Sequence, residues 1–235
     1  MTAPSAPIAV ALDTDDLRTA SAWASAVAPH VSTVKVGLEL YLRYGPEVVG
    51  AVRGDGGVGV FLDLKLHDIP ATVAGAARSV AGLRPSILTV HAGGGADMIR
   101  AAVEAAPDTK VAAVTVLTSM DEADLEQVGL SGPASDAVRR LAVLAVGAGA
   151  RALVCSPHEV TLLRAEVGPD ITLITPGVRP AGADKGDQSR VATPERAVED
   201  GADLLVIGRP ITRAPDPGAA AASLAAAVRG AAARV

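Results

Sequence analysis

Eight short aliphatic runs recur along the chain, and they constrain its fold more than any other feature. Nearly continuous Val, Ile and Leu is typical of strands that are buried on both faces, as in parallel sheets. The runs are 8-IAVALD-13, 31-VSTVKVG-37, 58-VGVFLDLKL-66, 86-SILTVHA-92, 110-KVAAVTVLT-118, 151-RALVCS-156, 170-DITLITPG-177 and 203-DLLVIGRPI-211. The chain therefore belongs to the α/β class.

Stretches of helical length and composition separate these runs, for example 97–106, 135–149 and the alanine-rich 216–230. Eight such β-α units in 235 residues favour a closed (β/α)8 TIM barrel over an open doubly wound sheet. No linker interrupts the pattern. We therefore expect one catalytic barrel domain spanning 1–235, with 216–230 as a packing helix.

Composition excludes several classes of function. Although 49% of the residues are hydrophobic, no apolar run reaches the roughly 18 residues of a membrane span, so we expect a soluble protein with no membrane partner. The N-terminus lacks the basic start of a secretory signal, which makes the cytoplasm the expected location. A net charge of −5 without a lysine or arginine cluster argues against nucleic acid. Cys155, the only cysteine, excludes an intrachain disulfide and is expected to be a buried small side chain.

Polar residues lie towards the carboxyl ends of the predicted strands, where the active site of this fold is built. Any one of them could be a helix cap or a solvated rim residue, but convergence on one mouth favours a site. They are Asp13, Lys35, Asp63, Lys65, His91, Thr118, Ser119, Arg179 and Arg209.

The stretch 61-FLDLKLHDIPATV-73 is the densest of these clusters. Asp63 and Lys65 are two residues apart, so on a strand their side chains project to the same face. Pro70 suits the first turn of a helix, which predicts that the strand ends by about His67. Asp68 is either the cap of that helix or a site residue, and His67 is expected to pack rather than to bind a metal.

Two carboxylates about 4 Å apart repel by roughly 4 kcal/mol at an effective dielectric of 20, so such a site needs interleaved cations. Lys35 and Lys65 would supply them. An alternating array of this kind keeps both lysines protonated, which favours lysine as an acid over lysine as a Schiff-base nucleophile. The chemistry predicted is proton delivery to a carbanion.

The loops after the last two strands form the usual phosphate site of this fold. Here they read 176-PGVRP-180 and 207-IGRPI-211, in which glycines permit close backbone approach and Arg179 and Arg209 offer forked donors. The long polar loop 178–195 between them is a candidate lid. A phosphorylated substrate is therefore expected.

The chain resembles the orotidine 5'-phosphate decarboxylase family, whose members convert orotidine monophosphate to UMP in pyrimidine synthesis. The core Asp-x-Lys-x-x-Asp is shared with a wider set of sugar-phosphate barrel enzymes. The longer match 63-DLKLHDIPAT-72 is more specific, because the other matching pieces accompany it in the same order along the chain. The matching pieces are 11-ALD-13, 35-KVG-37, 63-DLKLHDIPAT-72, 114-VTVLTS-119, 176-PGVRP-180, 187-DQ-188 and 206-VIGRPI-211.

The resemblance implies a role for each matching residue. Lys65 would donate the proton to C6 of the pyrimidine, with Asp63 and Lys35 in the charged network around it. Asp68 and Thr72 would reach the site of a neighbouring subunit, which makes a homodimer the functional unit, and Ile69 would contact the substrate. The other implied substrate contacts are Asp13 and Lys35 for the ribose, Thr118 or Ser119 for the base, and Arg179, Gln188, Gly208 and Arg209 for the phosphate.

The resemblance implies no metal ion and no organic cofactor. An alternative on the same core is a magnesium-dependent keto-sugar-phosphate decarboxylase or aldolase, against which 67-HDIP-70 and 176-PGVR-179 argue. A third hypothesis is a catalytically silent nucleotide-binding or scaffold protein. That hypothesis is disfavoured because the set of charged residues is intact.

Overall fold

Eight parallel strands close into a barrel in the computed structural model, which describes residues 5–54, 57–180 and 192–234. Each strand pairs with the next along the chain, and the last pairs with the first. The predicted (β/α)8 TIM barrel is confirmed. The strands are β1 (Ala6–Ala11), β2 (Val31–Gly37), β3 (Gly59–Leu66), β4 (Ile87–His91), β5 (Lys110–Val114), β6 (Ala152–Val154), β7 (Thr172–Thr175) and β8 (Leu204–Ile207).

Helices follow the strands and cover the outside of the barrel. The alanine-rich C-terminal stretch is a helix, as predicted, and buries Ala221, Ala225 and Val228 against the rest of the chain. None of the helices in the described ranges is long and apolar enough to cross a membrane. They are α1 (Leu17–Val27), α2 (Leu38–Tyr44), α3 (Glu47–Arg53), α4 (Pro70–Ala81), α5 (Ala96–Ala105), α6 (Glu122–Gln127), α7 (Ala134–Gly147), α8 (Val160–Val167), α9 (Pro194–Glu199), α10 (Arg209–Thr212) and α11 (Pro217–Ala232).

Side chains fill the interior of the barrel. Phe61, the only phenylalanine of the chain, is 1% exposed and packs with aliphatic side chains from the neighbouring strands. Several of these partners are alanines, which leave room for the ring. The cluster consists of Ala9, Phe61, Ile87, Ala112, Ala152, Ile174 and Leu204. This packed layer is the floor beneath the open carboxyl end of the barrel.

Most strands end earlier than the aliphatic runs suggest, by four residues in β5 and β8 and by one or two in β1, β4, β6 and β7, so that Asp13 lies just beyond the end of β1. The run 110–118 leaves the sheet after Val114, so Thr118 and Ser119 lie in the following loop and do not end a strand. The strand in the run 203–211 ends at Ile207, and the chain enters α10 at Arg209, with Pro210 in the first turn, where its missing N–H is not needed. Hydrophobicity continues beyond the hydrogen-bonded part of each strand.

Candidate active site

A cavity of about 500 Å³ opens at the carboxyl end of the barrel, above Phe61. Most of the residues predicted from strand ends contribute to its wall, although they are far apart in sequence. The predicted residues that line it are Asp13, Lys35, Asp63, Lys65, Thr118, Arg179, Gly208 and Arg209. Ser119 is exposed to solvent, so of the two hydroxyls of 118–119 it is Thr118 that faces the cavity.

Four charged side chains form an alternating array across the cavity. Lys35 Nζ lies 3.3 Å from Asp13 Oδ1 and 3.3 Å from Asp63 Oδ2. Lys65 Nζ donates to Asp63 Oδ1 at 2.7 Å. The central pair is the least accessible, with the side chains of Lys35 and Asp63 exposed by 10% and 14%. The array therefore places one buried carboxylate between two ammonium groups.

The charges of the array determine the ionisation of its buried members. Burial by itself lowers the pKa of Lys35, but the carboxylates of Asp63 and Asp13 outweigh it and leave that pKa raised. Burial by itself raises the pKa of Asp63, but Lys35, Lys65 and a hydrogen bond from Thr89 leave that pKa below the ordinary aspartate value. Lys35 is therefore an ammonium and Asp63 a carboxylate at neutral pH.

The backbone at Lys65 departs from a regular strand. Its φ is +49°, in the left-handed region that side-chain-bearing residues seldom adopt. Leu62 pairs with Leu88 and Leu66 pairs with Val90, so β3 carries two extra residues between these pairs, as in a bulge. Asp63 and Lys65 do meet, but strand alternation alone is the wrong explanation, because the bulge determines how Lys65 is presented.

Thr89 on β4 is a member of the site that the sequence did not reveal. Its side chain is fully buried, it accepts a hydrogen bond from the Lys65 N–H at 2.9 Å, and it donates to Asp63 Oδ1 at 3.0 Å. The only sequence signal is a hydroxyl inside the aliphatic run 86-SILTVHA-92. A β-branched residue is common in strands, so the signal is weak.

The two phosphate-type loops lie on the β7 and β8 side of the cavity. Gly177 has a φ of +80°, which favours glycine, and Arg179 is 8% exposed. Gly208 precedes the short helix α10, and a Cβ built on it would lie 3.4 Å from the Cβ of Ala11. A side chain at Gly208 would therefore meet only ordinary contacts within the chain, and the arrangement of loop and short helix is typical of anion binding in barrels.

The candidate lid is described only at its two ends. Val178 and Ala192 form a parallel bridge, in which the Arg179 N–H donates to the Ala192 carbonyl at 2.9 Å. This bridge joins the two ends of the loop beside the β7 end of the cavity. Gln188, a predicted phosphate contact, lies outside the described residues.

The cavity wall also includes residues that the sequence did not indicate, among them Trp23, Thr212 and Arg213. Trp23 is the only tryptophan of the chain, so its fluorescence reports on this cavity. Cys155 lines the wall and is buried, as predicted. Burial, followed by the negative charge of Glu159, raises the pKa of its thiol to about 12, which makes it inert at neutral pH.

Asp68, Ile69 and Thr72 do not join this cavity. All three are exposed, Ile69 by 66%, at the start of α4. Asp68 and Ile69 instead line a separate surface depression with His67. The residue that caps α4 is Ile69, and the carboxylate of Asp68 accepts from the Ile69 N–H at 2.6 Å, so a capping role for Asp68 is wrong.

Two histidines lie beside the array at the ends of β3 and β4. The ring centroids of His67 and His91 are 5.4 Å apart, although the His67 side chain is exposed. Burial, followed by the nearby His67 and Lys65, lowers the pKa of His91, while Asp63 opposes the shift. His91 is therefore neutral at physiological pH and adds no charge to the array.

Comparison with known proteins gives consistent matches over nearly the whole chain. The family model described as Orotidine 5'-phosphate decarboxylase / HUMPS family matches residues 6–224. Orotidine 5'-phosphate decarboxylase of Thermobifida fusca is 80% identical over 221 residues, which cover 94% of this chain and 95% of that protein. The protein of the same name from Frankia casuarinae is 62% identical, over 94% of this chain and 87% of that one.

Solved structures agree with these sequence relatives. The crystal structure of orotidine 5'-phosphate decarboxylase from Lactobacillus acidophilus is similar with a TM-score of 0.83 and 36% identity, and the match covers 95% of this chain and 99% of that one. The enzyme of the same name from Pyrococcus horikoshii OT3 matches with a TM-score of 0.79 and 27% identity, over the same shares of the two chains. The barrel is thus a shared architecture.

Proposed function

Because the chain belongs to the orotidine 5'-phosphate decarboxylase / HUMPS family, we infer that it decarboxylates orotidine 5'-phosphate to UMP, a reaction of pyrimidine biosynthesis. The observation that carries this function to individual residues is the alternating array, in which Lys65 Nζ contacts Asp63 at 2.7 Å and Lys35 lies on the other side at 3.3 Å. We propose that the whole chain, 1–235, forms one catalytic domain around this array.

The proposed chemistry needs an acid and a compact set of charges. Loss of CO2 breaks the bond between C6 of the pyrimidine and its carboxyl carbon, and the electron pair stays on C6. The Lys65 ammonium stabilises this developing carbanion and then gives it a proton, which completes UMP. The Lys65 side chain is 29% exposed at the cavity wall, which leaves it accessible to a bound pyrimidine.

Asp63 contributes through its charge. Two ammonium groups and the Thr89 hydroxyl keep it ionised, so a substrate carboxylate held beside it is repelled, and departure of CO2 removes that repulsion. Asp68, supplied by a partner subunit, would repel the carboxylate in the same way. Binding energy from the phosphate holds the substrate in this unfavourable position.

The remaining assignments follow the chemistry of the cavity wall. Asp13 and Lys35 bind ribose hydroxyls, and Thr118 contacts the base. The phosphate is held by the backbone at Gly208, by two arginines and by the lid. The residues proposed for it are Arg179, Gln188, Gly208 and Arg209.

We propose that the working unit is a homodimer, on the ground of the exposed residues at the start of α4, and that the enzyme works in the cytoplasm, where pyrimidine synthesis would use it. An aliphatic side chain that is 66% exposed, Ile69, lies between Asp68 and Thr72 at one rim of the barrel. We propose that Asp68, Ile69 and Thr72 complete the cavity of the partner subunit. Each active site then draws on both chains.

Mixing inactive variants tests this sharing. Lys65→Ala and Asp68→Ala chains, exchanged at equal amounts, should recover about one quarter of wild-type activity, because half of the dimers carry one intact site. A mixture of Lys65→Ala with the double variant Lys65→Ala/Asp68→Ala contains no intact site and is the control. Inactivity in a mixture whose heterodimers are demonstrated by native mass spectrometry would rule out the shared site.

The magnesium-dependent alternative is not favoured. The chain is instead highly identical, over nearly its full length, to enzymes named orotidine 5'-phosphate decarboxylase. Parallel assays with orotidine 5'-phosphate and a keto-sugar phosphate, each with and without magnesium, separate the possibilities. Metal-dependent turnover of the sugar phosphate alone would favour the alternative, and UMP binding without turnover would indicate a silent binding protein.

A further inference from the structure

The extra residues of β3 place Lys65 in the cavity, and the described contacts show what holds this bulge. A left-handed lysine is unfavourable by itself, so it persists only where its surroundings fix it. The Lys65 N–H leaves the regular ladder between β3 and β4, and its partner is the side-chain oxygen of Thr89 at 2.9 Å. Thr89 is on β4, 24 residues further along the chain.

The Thr89 hydroxyl makes a second contact whose direction is fixed by the first. A hydroxyl has one proton and can also accept. Because an N–H only donates, the hydroxyl is the acceptor towards Lys65, and its own proton is free to point at Asp63 Oδ1, 3.0 Å away. The same Asp63 oxygen accepts from Lys65 Nζ at 2.7 Å. One buried hydroxyl therefore contacts both the backbone of the proton donor and the carboxylate paired with it.

We propose that Thr89 is a positioning residue for the decarboxylation, fixing the left-handed Lys65 and the Asp63 carboxylate in one mutual geometry. The proposal rests on the proposed function of this cavity, but Thr89 acts through its two partners and needs no contact with the substrate. A hydrophobic side chain of the same shape would fill the space and still lose both hydrogen bonds.

Thr89→Val tests the proposal, since valine keeps the branched shape and removes the hydroxyl. We expect kcat to fall about 10- to 100-fold, because a small displacement of a catalytic group costs that much. UMP affinity, measured by Trp23 fluorescence, should change by less than about twofold because the phosphate loops are untouched. Thr89→Ser, which restores the hydroxyl, should recover most of kcat.

A matched control separates positioning from the general effect of losing a buried hydroxyl. Thr109 is 8% exposed and donates to the Pro85 carbonyl at 3.1 Å, on the loop that enters β5 at the other end of the barrel. Thr109→Val should lower the melting temperature and leave kcat unchanged.

The pH dependence of kcat gives a second readout for Thr89→Val. Its acid limb should move to higher pH, because the ionised Asp63 carboxylate has lost a hydrogen bond and its pKa rises.

Several results would overturn the proposal. Two are kinetic: Thr89→Val retains wild-type kcat, or Thr89→Ser is as slow as Thr89→Val. The third is a crystal structure of Thr89→Val in which Lys65 keeps its left-handed backbone and its contact with Asp63. The structural result decides the matter whether or not the chain turns over substrate. A wild-type chain inert towards orotidine 5'-phosphate would instead remove the proposed function, which is a distinguishable outcome.

Discussion

Replacing Lys65 by alanine is expected to lower kcat by at least about 10⁴-fold, since the variant would lose both the proposed proton donor and a cation beside the developing carbanion. The loss should be confined to chemistry. UMP should still quench or enhance Trp23 fluorescence with an affinity within about tenfold of wild type, because the phosphate loops and Lys35 remain. Single-turnover kinetics with orotidine 5'-phosphate measures the chemical step directly.

Lys110→Ala provides the matched control for this variant. Lys110 is an exposed lysine at the start of β5, at the amino end of the barrel, and its Nζ donates to Thr172 Oγ1 at 2.8 Å. Its replacement removes an ammonium of the same type without approaching the cavity and should leave kcat unchanged. If Lys65→Ala kept more than about 1% of wild-type kcat, Lys65 would not be the principal proton donor.

The second large effect concerns the phosphate. Arg209→Ala should reduce kcat/KM for orotidine 5'-phosphate by about 10²- to 10⁴-fold, because charge-assisted hydrogen bonds to an anion contribute roughly 1.5–3 kcal/mol each and arginine can form two. Turnover of orotidine, which lacks the phosphate, should change by less than about twofold. The comparison of the two substrates in one variant isolates the phosphate interaction.

The control for Arg209 is Arg100→Ala. Arg100 lies on the exposed face of α5 and pairs with Asp97 at 2.7 Å. Its loss should change neither substrate's kinetics, because exposed pairs contribute little. An equal loss of activity towards orotidine and its phosphate in Arg209→Ala would mean that Arg209 supports the fold of the cavity and not the phosphate.

The sequence predicted the barrel because burial on both faces leaves a parallel strand almost no choice but aliphatic residues. It also predicted that the site lies at the carboxyl ends of the strands, since charged residues such as Asp63 are tolerated in buried strands only near the strand ends. Strand limits were less accurate: Val116 and Leu117 continue the aliphatic pattern of β5 beyond its last ladder hydrogen bond. A hydrophobic pattern indicates that residues are buried, and residues beyond the last hydrogen bond of a strand can be buried as well.

The β3 bulge could not be predicted in the same way. Its left-handed residue is a lysine, without the glycine that usually indicates such a backbone, and its partner Thr89 is 24 residues away. The contact depends on the register between β3 and β4, which a strand pattern does not specify. Likewise, the roles proposed for Asp68 and Thr72 would require a second chain, and both residues lie on the surface of the single barrel.

The central claim is that this cavity decarboxylates orotidine 5'-phosphate by protonating C6, without a metal ion. The most direct measurement is the reaction of EDTA-treated protein with orotidine 5'-phosphate in deuterium oxide, followed by loss of the orotate absorbance and by mass spectrometry of the product. The account predicts stoichiometric CO2 and UMP that carries one deuterium at C6. Absence of UMP, or UMP formation that requires added magnesium, would contradict it.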